Sequence, residues 1–433
     1  MSPPGGDYTT ALSNRNAFAD PGVPLTTEER RAFSFGNRLF NTNWTTAPGS
    51  VKSFDGLGPL FNRVSCSGCH TRDGRGRPPL NGETVFESML VRVSVPGKDV
   101  DGGPKPHPVY GDQISDKAIL GVPAEAKVHL SWSPVEGTYA DGTKYELQKP
   151  TITLSDPAYG PFGDDLMMSP RVANQVYGLG LLELVYESDI LKRADPDDAD
   201  HDGISGRPNW VIDPATGRKV IGRLGWKANQ PSILAQDTGA ARGDIGLSTS
   251  LRPGQNCTPA QTACAAAPDG GEPEISDEFL AKLVTYSRTL AVPARRNPTD
   301  PQVMEGQKLF ASSGCAACHT PTMFTGHAAD SITLANQTIH PFTDLLLHDM
   351  GPDLADGRPD YEATGSEWRT APLWGIGLIP QVNGHDRLLH DGRARGVAEA
   401  ILWHGGEGEG ARERFKALSA KERDSLVAYV NSL

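Results

Sequence analysis

Apolar positions recur at helical spacing near both ends of the chain and past its middle, and one long stretch between them is β-branched. Leu25-Thr26-Thr27-Glu28-Glu29 opens the first helix. Thr26 and Glu29 stand at capping-box spacing, where each side chain accepts the other residue's unpaired backbone N–H. The helix runs to Gly36-Asn37-Arg38-Leu39-Phe40. From Val91 to Leu154, runs such as Val91-Arg92-Val93-Ser94-Val95 and Thr151-Ile152-Thr153-Leu154 are separated by turn residues such as Ala140-Asp141-Gly142. They predict short strands or hairpins inserted into a helical frame. Phe279, Leu283, Tyr286 and Leu290 mark an amphipathic helix from Asp277, capped by Ser276 and stopped before Pro293. Residues 295–301 fit a linker. A last helix, capped by Ser419 with Glu422 three residues on, buries Leu426, Val427, Val430 and Leu433.

The chain also echoes itself. Gly36-Asn37-Arg38-Leu39-Phe40 returns as Gly306-Gln307-Lys308-Leu309-Phe310, a G-x-x-L-F pattern. In the second copy a cysteine motif follows almost at once. In the first an insertion ending in Gly58-Pro59-Leu60-Phe61-Asn62 intervenes.

Composition sharpens the picture. At 433 residues, 37% hydrophobic and 22% charged, the chain is globular and long enough for two domains. Its 48 glycines and 35 prolines call for many loops and short elements. A formal net charge of −12 argues against nucleic acid and anionic membrane as partners and favours a basic redox partner. No apolar run is long enough to span a bilayer. Met1-Ser2-Pro3-Pro4-Gly5-Gly6 has neither the basic nor the apolar region of a signal peptide.

The six cysteines divide cleanly. Cys257 and Cys264 lie in one polar loop, where a small disulfide is expected and two free thiols are the alternative. The other four form Cys66-Ser67-Gly68-Cys69-His70 and Cys315-Ala316-Ala317-Cys318-His319. In C-x-x-C-H, two thiols on one turn can reach the two vinyl groups of one porphyrin, and the histidine that follows can ligate its iron. One zinc site made from both cysteine pairs is the competitor, but it leaves the histidine after each pair unexplained. Two covalently bound haem c groups are therefore expected. This type of attachment normally happens outside the cytoplasm, so the expectation is a periplasmic or secreted protein whose export signal has been removed.

Asp55-Gly56-Leu57-Gly58-Pro59-Leu60-Phe61-Asn62 before the first motif and Arg72-Asp73-Gly74-Arg75-Gly76-Arg77-Pro78-Pro79 after it resemble the di-haem oxidoreductase family, also called thiol oxidoreductase-like. So do Gly225-Trp226-Lys227-Ala228, Leu345-Leu346-Leu347-His348-Asp349-Met350-Gly351, Glu367-Trp368-Arg369-Thr370, Leu389-His390-Asp391-Gly392-Arg393-Ala394-Arg395 and Ala400-Ile401-Leu402-Trp403-His404-Gly405-Gly406. That family is in turn similar to bacterial di-haem cytochrome c peroxidases and to the di-haem enzyme that matures tryptophan tryptophylquinone. The fold so implied is mainly α: two cytochrome c-like haem domains, residues 1–297 and 298–433, with inserted short strands and long loops. The first domain would hold the β-rich stretch 91–154, the acidic loop 195–209 and the cysteine loop 257–264.

The resemblance also implies roles. Aligning His390-Asp391-Gly392 on the peroxidases' His-x-Gly motif puts His404 where the C-terminal haem takes its second ligand, usually methionine, so His319 and His404 would form a bis-histidine site. Trp226 would lie between the haems. Gln236 and Asp244 would stand in the reaction cavity of the N-terminal haem, with Asp244 as general acid/base in place of the peroxidases' glutamate. The second ligand of that haem is left open among Met89, His107, His129, Met167, Met168 and an open position. Separately, the D-x-D-x-D-G run suggests calcium, with Asp198, Asp200, Asp202 and the Ile204 carbonyl as ligands, although Asn209 stands where a closing glutamate belongs.

The function so implied is an enzyme that reduces hydrogen peroxide, or another small oxidant, at the N-terminal haem with electrons relayed by the C-terminal one. Its partner would be a small redox protein as electron donor, or a protein substrate. A protein-modifying oxidase and a plain di-haem electron carrier are the alternatives. No thiol-reactive motif supports the thiol oxidoreductase label.

Overall fold

A computed structural model describes residues 3–22, 24–80, 82–326 and 332–433. Met1 and Ser2, the start of the N-terminal stretch, lie outside them. Three predicted helices form with their predicted caps. Thr26 and Glu29 close a capping box on Thr27–Asn41, and Ser419 and Glu422 close one on Ala420–Ser432. Ser276 accepts the Phe279 N–H at the head of Asp277–Thr289.

The expectation of a mainly α protein is overturned. Helix accounts for 28% of the chain and strand for 20%. The helices are short; Thr27–Asn41 spans 15 residues. Much of the rest is loop, pinned by small sheets of two or three strands. Strand is not confined to the expected stretch. Met89–Lys98 pairs antiparallel with the distant Met167–Val172, with Met89 opposite Val172 and Val93 opposite Met168. Lys127–Thr138 and Lys144–Ser155 form a long hairpin between them. Its tip reaches residues near the C-terminus: Ala140 N–H donates to the Lys416 carbonyl, and Arg423 donates to Asp141 at 2.7 Å. Cys257 and Cys264 are joined as a disulfide with Cα atoms 5.7 Å apart.

The G-x-x-L-F echo becomes two copies of one packing unit. The Thr27–Asn41 helix packs on Asp277–Thr289, and Pro301–Ser312 packs on Ala420–Ser432. The repeated glycine sits at each crossing. A Cβ on Gly36 would lie 2.2 Å from the Lys282 carbonyl oxygen and 2.6 Å from Tyr286 Cβ. On Gly306 it would lie 1.9 Å from the Ser425 carbonyl oxygen and 2.7 Å from Tyr429 Cβ. The repeated phenylalanine then meets the same neighbours in each unit. Phe40 lies 5.3 Å from Tyr286 and 6.1 Å from His70, ring centre to ring centre. Phe310 lies 5.3 Å from Tyr429 and 6.5 Å from His319.

Gly306→Ala forces its methyl group against backbone, which cannot swing aside as a side chain can. We expect a loss of about 1–3 kcal/mol, the usual cost of overpacking, read as a lower urea midpoint of the intact protein. An unchanged midpoint would show that the crossing tolerates a side chain.

Candidate redox cofactor cavities

Each packing unit walls a cavity. The N-terminal one is lined by Cys66, Cys69 and His70. The C-terminal one is lined by Cys315, Cys318 and His319. The four cysteines are free thiols. Burial pushes the Cys69 thiol up to about 12 and Cys315 up to about 11.

The three candidate iron ligands share one device. His70 Nδ1 is 2.6 Å from the Asn174 carbonyl oxygen, His319 Nδ1 is 3.0 Å from that of Phe342, and His404 Nδ1 is 2.6 Å from that of Ala400. A carbonyl can only accept, so each Nδ1 carries the hydrogen and each Nε2 keeps a lone pair. This second bond is what orients a metal-ligating imidazole. Burial lowers the basicity of all three, His319 to about 4, which favours the neutral, ligating form. Two thiols and an imidazole with a free Nε2 at each cavity are the donor set a haem c needs, so the residues fit the group.

His404 lines the C-terminal cavity together with His319, and Met350 lines the same cavity. A Cβ on Gly408 would lie 3.0 Å from both Met350 Cε and His404 Cβ, so the two candidate donors are close neighbours. Also on this cavity is His348, hydrogen-bonded to Asp344 at 2.8 Å through Nε2 and to Glu407 at 2.7 Å through Nδ1. Two carboxylate partners require two N–H donors, hence an imidazolium. Burial opposes that charge, and the hydrogen bonds outweigh it, holding the group well above the usual histidine range.

Trp226 lines both cavities, as do Gln175 and Arg369. Its indole N–H donates to the Val172 carbonyl at 2.9 Å, two residues before the Asn174 carbonyl that holds His70. The Arg75 guanidinium lies over its ring at 4.7 Å. The next residue, Lys227, is wholly buried and bonded to Asp356, the Arg358 carbonyl and the Thr364 carbonyl. It sits 4.4 Å from the ring of Trp368, which stacks on His390 at 3.7 Å.

Gln236 and Asp244 both line the N-terminal cavity. Asp244 lies in a π-helical turn, Ala241–Ile245; such widened turns recur at functional sites. Burial raises its carboxyl, with Arg92 and a hydrogen bond from Gln113 pulling the other way. Of the five side chains considered as second ligand to the N-terminal group, Met89 lines this cavity. His107 is instead bonded to the Phe162 carbonyl, and His129 to Ser155 on the exposed hairpin.

The acidic turn is arranged differently from the sequence expectation. Asp195, Asp198 and Asp200 bring ligand atoms within 4.8 Å of one another, without Asp202. Asp202 instead accepts the Ile204 N–H, and Ile204 lines the C-terminal cavity. Asn209 is buried and bonded to the Lys227 and Asp360 carbonyls, away from any closing-ligand position. Asp195, Asp198 and Asp200 all accept N–H groups of their own turn, so the turn is closed by its own backbone donors.

Sequence reasoning passed over Arg92, Gln113, Gln175 and Asp237, all at or beside the cavities. Each lies outside the quoted motifs or was read there only as spacing, so its position is a product of folding.

Two cavities, each with a thiol pair and a histidine whose Nε2 is free, share one tryptophan wall, the layout of a protein with two redox centres. The model of the family described as "di-haem oxidoreductase, putative peroxidase" matches residues 3–433, and the chain belongs to that family. No curated protein and no solved structure matches the chain. Among the described residues no helix is long and apolar enough to cross a membrane.

Asp237, on the N-terminal cavity wall, has one buried oxygen without a partner, and burial pushes its carboxyl up to about 7. An unfolded aspartate ionises near 4, so the folded state holds this proton over the interval between. Its contribution to stability is present at acid pH and lost as pH rises to about 7. Asp237→Asn should remove that decline from urea titrations of the intact protein. An Asp237→Asn curve with the wild-type slope would place the carboxyl's ionisation elsewhere.

Proposed function

We propose that this di-haem oxidoreductase reduces hydrogen peroxide at its N-terminal cavity with electrons relayed through its C-terminal one. The observation that carries the reading is Trp226, a single aromatic side chain on the walls of both cavities. Each peroxide takes two electrons and two protons and leaves as two waters. A small redox protein is the electron donor.

Cys66 and Cys69 would hold one haem by thioether bonds with His70 as ligand, and Cys315 and Cys318 the other with His319 and His404. The two haem units are residues 1–297 and 298–433. A bound haem supplies an iron that takes small oxygen-containing ligands and exchanges single electrons. Asp244 keeps a proton-accepting oxygen in the N-terminal cavity: Gln113 Nε2 donates to its Oδ1 at 3.0 Å, and Oδ2 has no protein partner among the described residues. Burial holds the Asp244 proton to higher pH than a free aspartate would, which favours the general acid/base role. Gln236 offers a carboxamide to the same cavity. Trp226, held by its bond to Val172, gives electrons a short route between the cavities. Haem c attachment carries with it a periplasmic or secreted location.

An optical and EPR titration of the oxidised protein with hydrogen peroxide tests the reading. The expected result is a reactive high-spin N-terminal haem and a low-spin C-terminal haem; two low-spin haems inert to peroxide would make the protein an electron carrier. His404→Ala should abolish the low-spin signal and Met350→Leu should keep it, and the reverse pattern would make the sulfur the ligand. Asp244→Asn should lower peroxide turnover by about 10²-fold or more with both haems retained, whereas wild-type turnover in that variant removes Asp244 from the proton path.

A further inference from the structure

Beside Asp244 the fold assembles groups that no motif connects. Arg92 comes from the strand Met89–Lys98 and lines the N-terminal cavity with Asp244. Its Nη1 donates to Asp112 Oδ2 at 3.1 Å. Its Nε and Nη2 have no protein partner among the described residues. Asp112 is largely exposed, with 60% of its side chain in solvent, so that ion pair adds little stability and serves as an anchor. Arg92 bridges in register to Gln113, which is 4% exposed. Gln113 Nε2 donates to Asn62 Oδ1 at 2.5 Å and to Asp244 Oδ1 at 3.0 Å, which leaves its Oε1 buried and unpartnered. A Cβ built on Gly243 would lie 3.8 Å from both Arg92 Nη1 and Gln113 Oε1. The residue before Asp244 is thus in ordinary van der Waals contact with both groups, and the charges of Arg92 and Asp244 act on each other.

The chemistry of this arrangement is specific. A guanidinium stays charged and presents planar N–H donors that it cannot withdraw. With one edge anchored and the other unpaired on the cavity wall, its side chain a quarter exposed, it calls for a ligand with accepting oxygens. We propose that Arg92 binds and orients the small oxidant of the N-terminal cavity, a hydroperoxide-class ligand held between the guanidinium and the carboxyl of Asp244. No bond forms or breaks at Arg92. Its role is to fix which oxygen faces the carboxyl that exchanges the proton. The assignment rests on the peroxidase reading, and its test is built to fail separately from that reading.

Fluoride ligates oxidised haem iron and accepts hydrogen bonds, so its dissociation constant, read by optical titration of the oxidised holoprotein, reports the donors of the cavity without turnover. Arg92→Leu should weaken fluoride by about tenfold or more and lower peroxide kcat/KM chiefly through KM. Arg92→Lys should restore part of both, and Asp112→Asn, which frees the guanidinium from its anchor, should fall between. If Arg92→Leu loses its haems, the Lys and Asp112→Asn variants carry the same titration. Wild-type fluoride affinity in these variants, with peroxide turnover intact, overturns the assignment and leaves the peroxidase reading standing. Weakened fluoride binding in a protein that never turns over peroxide sinks the peroxidase reading and keeps Arg92 as the ligand-binding residue. A wild-type protein that binds no fluoride overturns the assignment outright.

Discussion

The structure depends on two close helix crossings. At Gly36 and at Gly306 the backbone of a second helix comes so near that any side chain would collide with a carbonyl oxygen. Neither crossing is strong by itself; each is a constraint that fixes the distance between two helices and hence the position of an aromatic residue one turn on. Phe40 and Phe310 are then held against Tyr286 and Tyr429 and beside His70 and His319. Leu39, Phe40 and Leu283 of one unit and Phe310, Leu426 and Val430 of the other then form part of the two cavity walls. The same small residue solves the same packing problem twice, although the partner helix lies more than 240 residues downstream of Gly36 and little more than 110 downstream of Gly306.

Around Trp226 and Trp368 lies a cluster of buried charge. Arg171 and Asp360 pair there at 3.0 Å, Lys227 and Asp356 at 2.9 Å, and Arg393 is bonded to Asp391. Buried pairs of this kind stabilise weakly, because desolvation cancels most of their attraction, but they penalise every arrangement that separates them. They therefore fix the loop 353–364 and the rings of Trp226 and Trp368 to one geometry. The electron relay proposed above would need a fixed wall of this kind, since the distance between the centres decides how well electrons pass.

Local signals were legible where the chemistry is local. Thr26 with Glu29, and Ser419 with Glu422, announce helix starts because a cap involves only residues three apart. The thiol pairs and their histidines are legible for the same reason. The mainly α expectation came from the resemblance to cytochrome c-like domains, and it failed because loops and short strands make up most of the chain. Many strands are two or three residues long and exist only because a distant segment supplies the partner, as Leu347–Asp349 does for Glu367–Arg369. Such pairings leave no periodicity to read. The acidic turn shows a related failure: alternate aspartates suggested one ring of ligands, but Asp202 turned to the Ile204 N–H, and Asp195, outside the pattern, took its place beside Asp198 and Asp200.

The sequence by itself determined the family, the two thiol–imidazole motifs, the repeated helix and its caps, because each is written within a few adjacent residues. Only the tertiary structure decided that Trp226 faces both cavities, that Met350 stands beside His404, and that Arg92, Gln113 and Asp244 meet. Those neighbours come from segments up to about 150 residues apart. What brings them together is the fit of glycine crossings and the pairing of buried charges, which act through space and not along the chain.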